Sequence, residues 1–186
     1  MKKLAILFTG SYRELRSTRT ITTAAMLGAV SVVLGYFSVQ LGDFIRISFS
    51  SLANQIVYYL FGPMVGGVFG GVLDVLKYLM KPTGGFFPGF TLGAALAGVI
   101  YGFFFYRKPI SIGRVLVAEL VVSVICNMLL GTLWLSMLYG KAFMVLLPVR
   151  VVKNLVMWPI NSALFFVVVK TMEGAGVFRM VRGSEG

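Results

Sequence analysis

The sequence predicts an all-α integral membrane protein of six transmembrane helices, with both termini on the cytoplasmic side. Three observations carry that expectation. Apolar residues make up 58% of the 186-residue chain and the mean hydropathy is +0.91, more apolar surface than a soluble domain of this size can hide. Charged residues are only 12%, about half the ~25% usual in soluble domains, and they cluster between long uncharged runs. With six spans, 11 cations (Lys2, Lys3, Arg13, Arg16, Arg19, Arg107, Lys108, Arg114, Lys170, Arg179, Arg182) fall inside. Six (Arg46, Lys77, Lys81, Lys141, Arg150, Lys153) fall outside. That asymmetry is the one that orients membrane proteins.

Residues 1–20 form a basic cytoplasmic tail. Its apolar run Leu4 to Phe8 has five residues, against the ~7–15 of a signal peptide. The first span, Ile21 to Leu41, carries no charge over 21 residues, enough to cross a core of ~30 Å. The next stretch, Gly42 to Ser51, has a strand-like alternation from Asp43 to Ser48 and is expected to be an ordered loop. Ile47 to Leu73 is uncharged for 27 residues. As one straight helix it would measure ~40 Å, longer than the bilayer core. Phe61-Gly62-Pro63-Met64 should break it, giving helices of about 52–61 and 63–80. The fourth span is about 90–106, the fifth about 115–139 and the sixth about 151–169, with residues 141–150 as a loop. The membrane domain thus covers 21–172, and 173–186 is a cytoplasmic tail.

Small residues recur four apart. Gly66/Gly70 and Gly67/Gly71 in the third span, and Gly93, Ala97, Gly98 and Gly102 in the fourth, suit close internal helix contacts. In the first span Ala25 and Ala29 lie at the cytoplasmic end, where a partner protein could dock.

Polar residues are expensive at membrane depth and usually face a bundle interior or a water-filled cavity. Asp74, Lys77, Tyr78 and Lys81 share one face of the third helix at i, i+3, i+4 and i+7. An Asp74–Lys77 ion pair is the plain structural alternative. Arg150, Asn154, Trp158 and Asn161 share a face of the sixth. Snorkelling accounts equally well for Lys153, and the interfacial aromatic belt for Trp134. Between the third and fourth spans, residues 77–92 pack two cations, four aromatics, three glycines and two prolines into sixteen positions. A connector this apolar is either an interfacial turn or a cap over a site. Six outer cations against Asp43 and Asp74 leave a local charge of +4. Rings for stacking and cations for carboxylates suit a planar, anionic ligand.

Other classes fit poorly. The chain has no His and one cysteine, Cys126, so it offers no internal disulfide, no metal-ligand spacing and no H-E-x-x-H. Gly140-Lys141 is followed by Ala142, which is not an ATP-binding loop. Asp74 and Glu119 sit on separate helices with no third partner legible. The cations follow membrane topology rather than a nucleic-acid surface. We therefore expect no enzyme, no cofactor and no nucleic-acid partner. A transporter built from this chain needs a partner for energy.

Specific motifs then carry a resemblance across residues 19–172. They are Ala24-Ala25-Met26-Leu27-Gly28-Ala29, Ile45-Arg46-Ile47-Ser48-Phe49, Phe61-Gly62-Pro63, and Asp74-Val75-Leu76-Lys77-Tyr78-Leu79 running into Lys81-Pro82-Thr83-Gly84-Gly85-Phe86-Phe87-Pro88-Gly89-Phe90-Thr91-Leu92. Thr132-Leu133-Trp134-Leu135-Ser136, Tyr139-Gly140-Lys141, Leu147-Pro148-Val149-Arg150, Lys153-Asn154 and Pro159 follow. Together they resemble the substrate-binding S components of energy-coupling-factor (ECF) vitamin transporters, and within them the folate-specific branch. The alanine motif is shared across S components; the Pro82 to Thr91 run is the more specific. The chain departs from the family at Ala53, where a proline is frequent, and at Gly131, where a polar residue is expected.

The resemblance implies a vitamin site near the outer face, capped by the first and third loops. It also implies a transmembrane T partner, two cytoplasmic ATPases and a bacterial cell membrane. Set beside the residues, it makes Asp74 the candidate for a pterin's amino–amide edge and Phe87, Phe90, Trp134 and Trp158 candidates for stacking. Arg46, Lys81, Arg150 or Lys153 are candidates for glutamate carboxylates. Ser48, Lys77, Tyr78, Phe86 and Asn154 complete the expected lining. Another vitamin or precursor, or a structural membrane subunit without transport, are the other readings.

Overall fold

The computed structural model describes residues 10–12, 16–36, 39–41, 45–47, 49–80, 87–106, 108–140 and 143–175. Six helical elements follow one another: α1 (Thr18–Tyr36), α2 (Ser50–Met80), α3 (Pro88–Phe105), α4 (Ile112–Val122), α5 (Gly131–Tyr139) and α6 (Phe143–Gly174). A π-helical segment, Ser123–Leu130, joins α4 to α5 without a break. Among the described residues, five stretches are long and apolar enough to cross a bilayer: 18–35, 50–80, 88–105, 112–138 and 150–174. Large apolar side chains such as Val68, Val72, Leu76 and Leu79 are exposed along α2, the outward apolar face expected of helices solvated by lipid.

Three boundaries differ from the sequence expectation. The first helix stops at Tyr36, and Val39–Leu41 pairs antiparallel with Ile45–Ile47 as strands β1 and β2, with Gln40 opposite Arg46. The alternation there makes a true hairpin, where a loop was expected. The last helix begins at Phe143, although Pro148 and two cations argue for a loop up to Arg150. Proline is tolerated in membrane helices because neighbours supply the missing backbone partners. Arg150 and Lys153 therefore ride on a helix.

The third difference is only apparent. α2 runs as one 31-residue element, but Gly62 inside it has φ 83° and ψ −169°, a conformation open essentially to glycine alone. On a straight helix Ser50 and Lys77 would lie about 40 Å apart, yet their side chains hydrogen-bond. The rings of Tyr58 and Phe69 also meet, at 6.2 Å. The element therefore folds back on itself at Gly62, as Phe61-Gly62-Pro63 predicts. Pro63 suits the new start because its missing N–H would have had no partner there.

A reversal exposes backbone groups at both broken ends. Ser11 satisfies them. Its fully buried hydroxyl donates to the Phe61 carbonyl (2.7 Å) and accepts from the Met64 and Val65 N–H groups (3.0 and 3.3 Å). Part of the N-terminal segment is thus built into the bundle.

The second half of α2 packs on α3 through its glycines. A Cβ at Gly66 would sit 2.7 Å from the Gly98 carbonyl oxygen, one at Gly70 2.6 Å from that of Ala94, and one at Gly102 2.5 Å from Pro63 N. These stripes are internal contacts, as their spacing suggests, except at Gly93, where a Cβ would meet nothing within 4 Å. On α1 the small residues divide: Ala24 and Gly28 are buried, with Gly28 under Phe69, whereas Ala25 and Ala29 are exposed. The core gathers toward the Gly62 end, where Phe105 stacks on Phe165 at 5.1 Å. Buried in the bundle, the Glu119 carboxylate accepts from Gln55 Nε2 (2.6 Å) and Tyr101 Oη (2.8 Å), tying α2, α3 and α4 together.

Candidate functional site

The opposite end of the bundle carries the β-hairpin, the end of α2, the start of α3 and the start of α6. There the Asp74–Lys77 ion pair, the structural alternative, does not form. Lys77 Nζ donates to Ser31 Oγ of α1 (2.9 Å) and to Ser50 Oγ at the start of α2. Ser31 Oγ also meets Ser50 Oγ (3.0 Å) and Asn54 Oδ1 (2.6 Å). These hydroxyls and the amide form a polar shelf that holds the ammonium group. Asp74 is left with a neutral partner, the Thr91 hydroxyl of α3, which donates to its Oδ2 at 2.9 Å. The one salt bridge among the described residues is far away, Lys170–Glu173.

Thr91 directly follows Phe90, and from there aromatic rings lead across the bundle. Phe87, at the N-cap of α3, meets Phe90 edge-on at 6.2 Å and the Trp134 indole of α5 at 5.6 Å. Gly89 makes this possible: a Cβ there would lie 2.5 Å from Trp134 Cδ2 and 2.6 Å from Phe87 Cε1. Trp134 Nε1 is buried and makes no hydrogen bond among the described residues, a donor of the kind that is normally satisfied.

One helical turn before Trp134 stands Gly131. Arg150 of α6 reaches it, donating through Nη1 to the Asn127 carbonyl of the π-helical segment at 3.0 Å. A π-turn widens the helix and shifts its hydrogen bonds by one residue; Gly131 N–H here bonds to Cys126 O. The contacts therefore connect an acid (Asp74), three rings (Phe90, Phe87, Trp134) and a cation (Arg150). A flat ligand with a hydrogen-bonding edge and an anionic tail would find a partner for each part.

The other predicted site residues fall as follows. Trp158 turns to α4, where its indole N–H donates to the Leu116 carbonyl at 2.9 Å, and so stands outside the ring group. Tyr78 and Asn154 are half-buried and Lys153 is exposed. Arg46 lies in β2, which packs against α6. Ser48, Lys81 and Phe86 lie outside the described residues. Sequence reasoning missed Ser31, Ser50, Asn54 and Thr91. Only Thr91 carries a signal, since it sits inside the Phe-rich run. Among the described residues no group of three or more His, Cys, Asp or Glu could hold a metal ion.

The family model for the ECF transporter, substrate-specific component, matches residues 19–169. The folate transporter FolT of Clostridium novyi is 39% identical over 146 residues, 78% of this chain and 84% of that protein. The folate transporter FolT of Leuconostoc mesenteroides is 32% identical over 155 residues, 80% of this chain and 83% of that protein. Among solved structures, a crystal structure of FolT bound with folic acid superposes with a TM-score of 0.73 at 36% identity, covering 82% of this chain and 93% of the other. The chain is a multi-pass membrane protein and belongs to the substrate-specific component family of ECF transporters.

Proposed function

We propose that this chain is the high-affinity folate-binding subunit of an ECF-type vitamin importer in a bacterial cell membrane, with no catalytic activity of its own. It works with a transmembrane T component and two cytoplasmic ATPases, which supply the energy. The observation that carries the reading is the release of Asp74 from Lys77. A carboxylate on a neutral hydroxyl partner keeps its charge available for two donors on one ligand edge, which a pterin offers. Phe87, Phe90 and Trp134 take the ring faces, and Arg150, with Lys153 on the same helix and Arg46 and Lys81 as further cations, takes the glutamate carboxylates. Ser48, Tyr78, Phe86 and Asn154 line the approach, and Lys77 fixes the α1–α2 shelf beside it. The relatives named FolT and the likeness to the folic-acid-bound structure support the same ligand.

The topology we propose counts the two halves of α2 separately and α4 to α5 as one span. That makes six crossings, with residues 1–20 and 173–186 cytoplasmic and residues 21–172 forming the membrane domain. Single cysteines at Thr18 and Thr83, in a Cys126→Ala background, should be labelled from opposite sides of the membrane; labelling from one side rejects this topology.

The functional test is binding by the purified chain, without ATP, followed by tryptophan quenching in detergent. Folate should quench saturably; riboflavin and thiamine should not. Saturable binding of another vitamin without folate binding moves the assignment to a sister specificity. Mass spectrometry of small molecules that co-purify with the chain reads the same question independently.

A further inference from the structure

We infer that Gly131 is a specificity-determining position: its missing side chain and the Asn127 carbonyl together seat the Arg150 guanidinium as the reader of the ligand's anionic tail. This rests on the folate reading above and adds the device that aims the cation. Glycine in a buried helix start needs a reason, because alanine there would favour the helix. The reason is on hand. A Cβ at Gly131 would lie 2.8 Å from Arg150 Nη1 and 3.1 Å from the Cys126 carbonyl oxygen. The guanidinium fills the space a methyl group would take.

What holds Arg150 there is a neutral carbonyl, at 3.0 Å. A carboxylate in that role would cancel the charge. Each of the three acidic side chains among the described residues is bonded elsewhere: Asp74 to Thr91, Glu119 to Gln55 and Tyr101, Glu173 to Lys170. The other guanidinium N–H groups make no hydrogen bond among the described residues. Arg150 is thus positioned by one donor, half-buried, and keeps the rest of its planar fork for an anion, the geometry suited to a carboxylate. Trp134, one turn further along α5, contributes a buried indole N–H with no hydrogen-bond partner among the described residues. The guanidinium, seated against Gly131 from α6, and the Trp134 indole on α5 both offer donors to a ligand supplying acceptors.

The test compares folate with pteroate, which lacks the glutamate, for the full chain and for Gly131→Ala, Arg150→Ala and the double variant. Wild type should prefer folate by on the order of ten-fold or more. Gly131→Ala should lose most of that preference with its melting temperature unchanged or raised, since alanine is the better helix former. Arg150→Ala should lose it equally, and the double variant should lose no more than either. A structural defect would instead lower the melting temperature and weaken both ligands alike. The inference is overturned if Gly131→Ala keeps the wild-type preference, if its loss adds to that of Arg150→Ala, or if Arg150→Ala leaves the preference intact. A wild-type chain that binds neither ligand but binds another vitamin overturns the folate reading itself, and the vitamin controls tell the two failures apart.

Discussion

Replacing Asp74 by Asn keeps the shape of the side chain and removes its charge. The Thr91 hydroxyl at 2.9 Å can donate to the amide oxygen as it does to the carboxylate, so the fold should tolerate the change. Lys77 should keep its hydrogen bonds to Ser31 and Ser50, which hold its ammonium group. On the reading proposed above, what disappears is one charge-assisted contact to the pterin edge. Such contacts contribute ~1.5–3 kcal/mol, which converts to roughly a 10- to 150-fold loss of affinity. Folate and pteroate share the pterin, so both should weaken by the same factor and their ratio should stay at the wild-type value. The chain has two tryptophans, and Trp158 is bonded to Leu116 of α4. A Trp158→Phe background therefore reports Trp134 alone. Lys77→Met is the companion: it should leave pterin binding near wild type while destabilising the α1–α2 shelf. Wild-type affinity in Asp74→Asn would refute the role of this acid. A loss for folate that spares pteroate would refute it too, by placing Asp74 at the wrong end of the ligand.

Ser11→Ala should lower the melting temperature by roughly 2–8 °C, from about 1–2 kcal/mol for a lost cap at a buried break, with folate affinity unchanged; an unchanged melting temperature would show that the Ser11 bonds to Phe61, Met64 and Val65 are dispensable. Ala25→Leu and Ala29→Leu fall on exposed positions of α1, so both should bind folate normally yet fail to co-purify with the energy-coupling partners. A leucine variant that assembles would remove this face from the interface. Gly89→Ala should drive the Trp134 indole from Phe87, since its Cβ would lie 2.5 Å from Cδ2. About ten-fold weaker binding of folate and pteroate alike is expected, checked by titration alongside the shift in tryptophan emission; wild-type affinity would place the ligand away from these rings.

Much of the architecture is legible in the sequence because lipid imposes simple demands. Uncharged runs mark the spans, Gly62-Pro63 marks the reversal, and glycines four apart mark the α2–α3 contact. The errors arise where a local rule meets a partner from another element. Asp74 and Lys77 at i, i+3 suggest an ion pair on one helix, but Ser31 and Ser50 come from elsewhere and bind Lys77 first. Glu119 shows no partner because Gln55 is 64 residues away and Tyr101 is 18. Pro148 and Arg150 argue for a loop over 141–150, yet the last helix begins at Phe143 and Arg150 finds its partner in the Asn127 carbonyl. Ser11 sits among charges that mark a cytoplasmic tail, and nothing local shows that its hydroxyl reaches the break at Gly62. The π-helical segment has no local signature at all, and it supplies the carbonyl that seats Arg150.

These contacts also divide the site between two supports of different character. The second half of α2 and α3 form one rigid body: glycine meets backbone carbonyl so closely at Gly66, Gly70 and Gly98 that neither helix can slide without a clash. Asp74, Phe87, Phe90 and Thr91 all belong to this body. Trp134 and Arg150 belong to the other support, α5 and α6, whose root is the π-helical segment, with shifted backbone bonds and a side-chain donor on one carbonyl. The two supports meet here through ring contact and the bare backbone of Gly89. On the reading proposed above, a ligand that engages Asp74 and Arg150 at once spans that seam. Either fragment alone, a pterin or a glutamate, gains only one side.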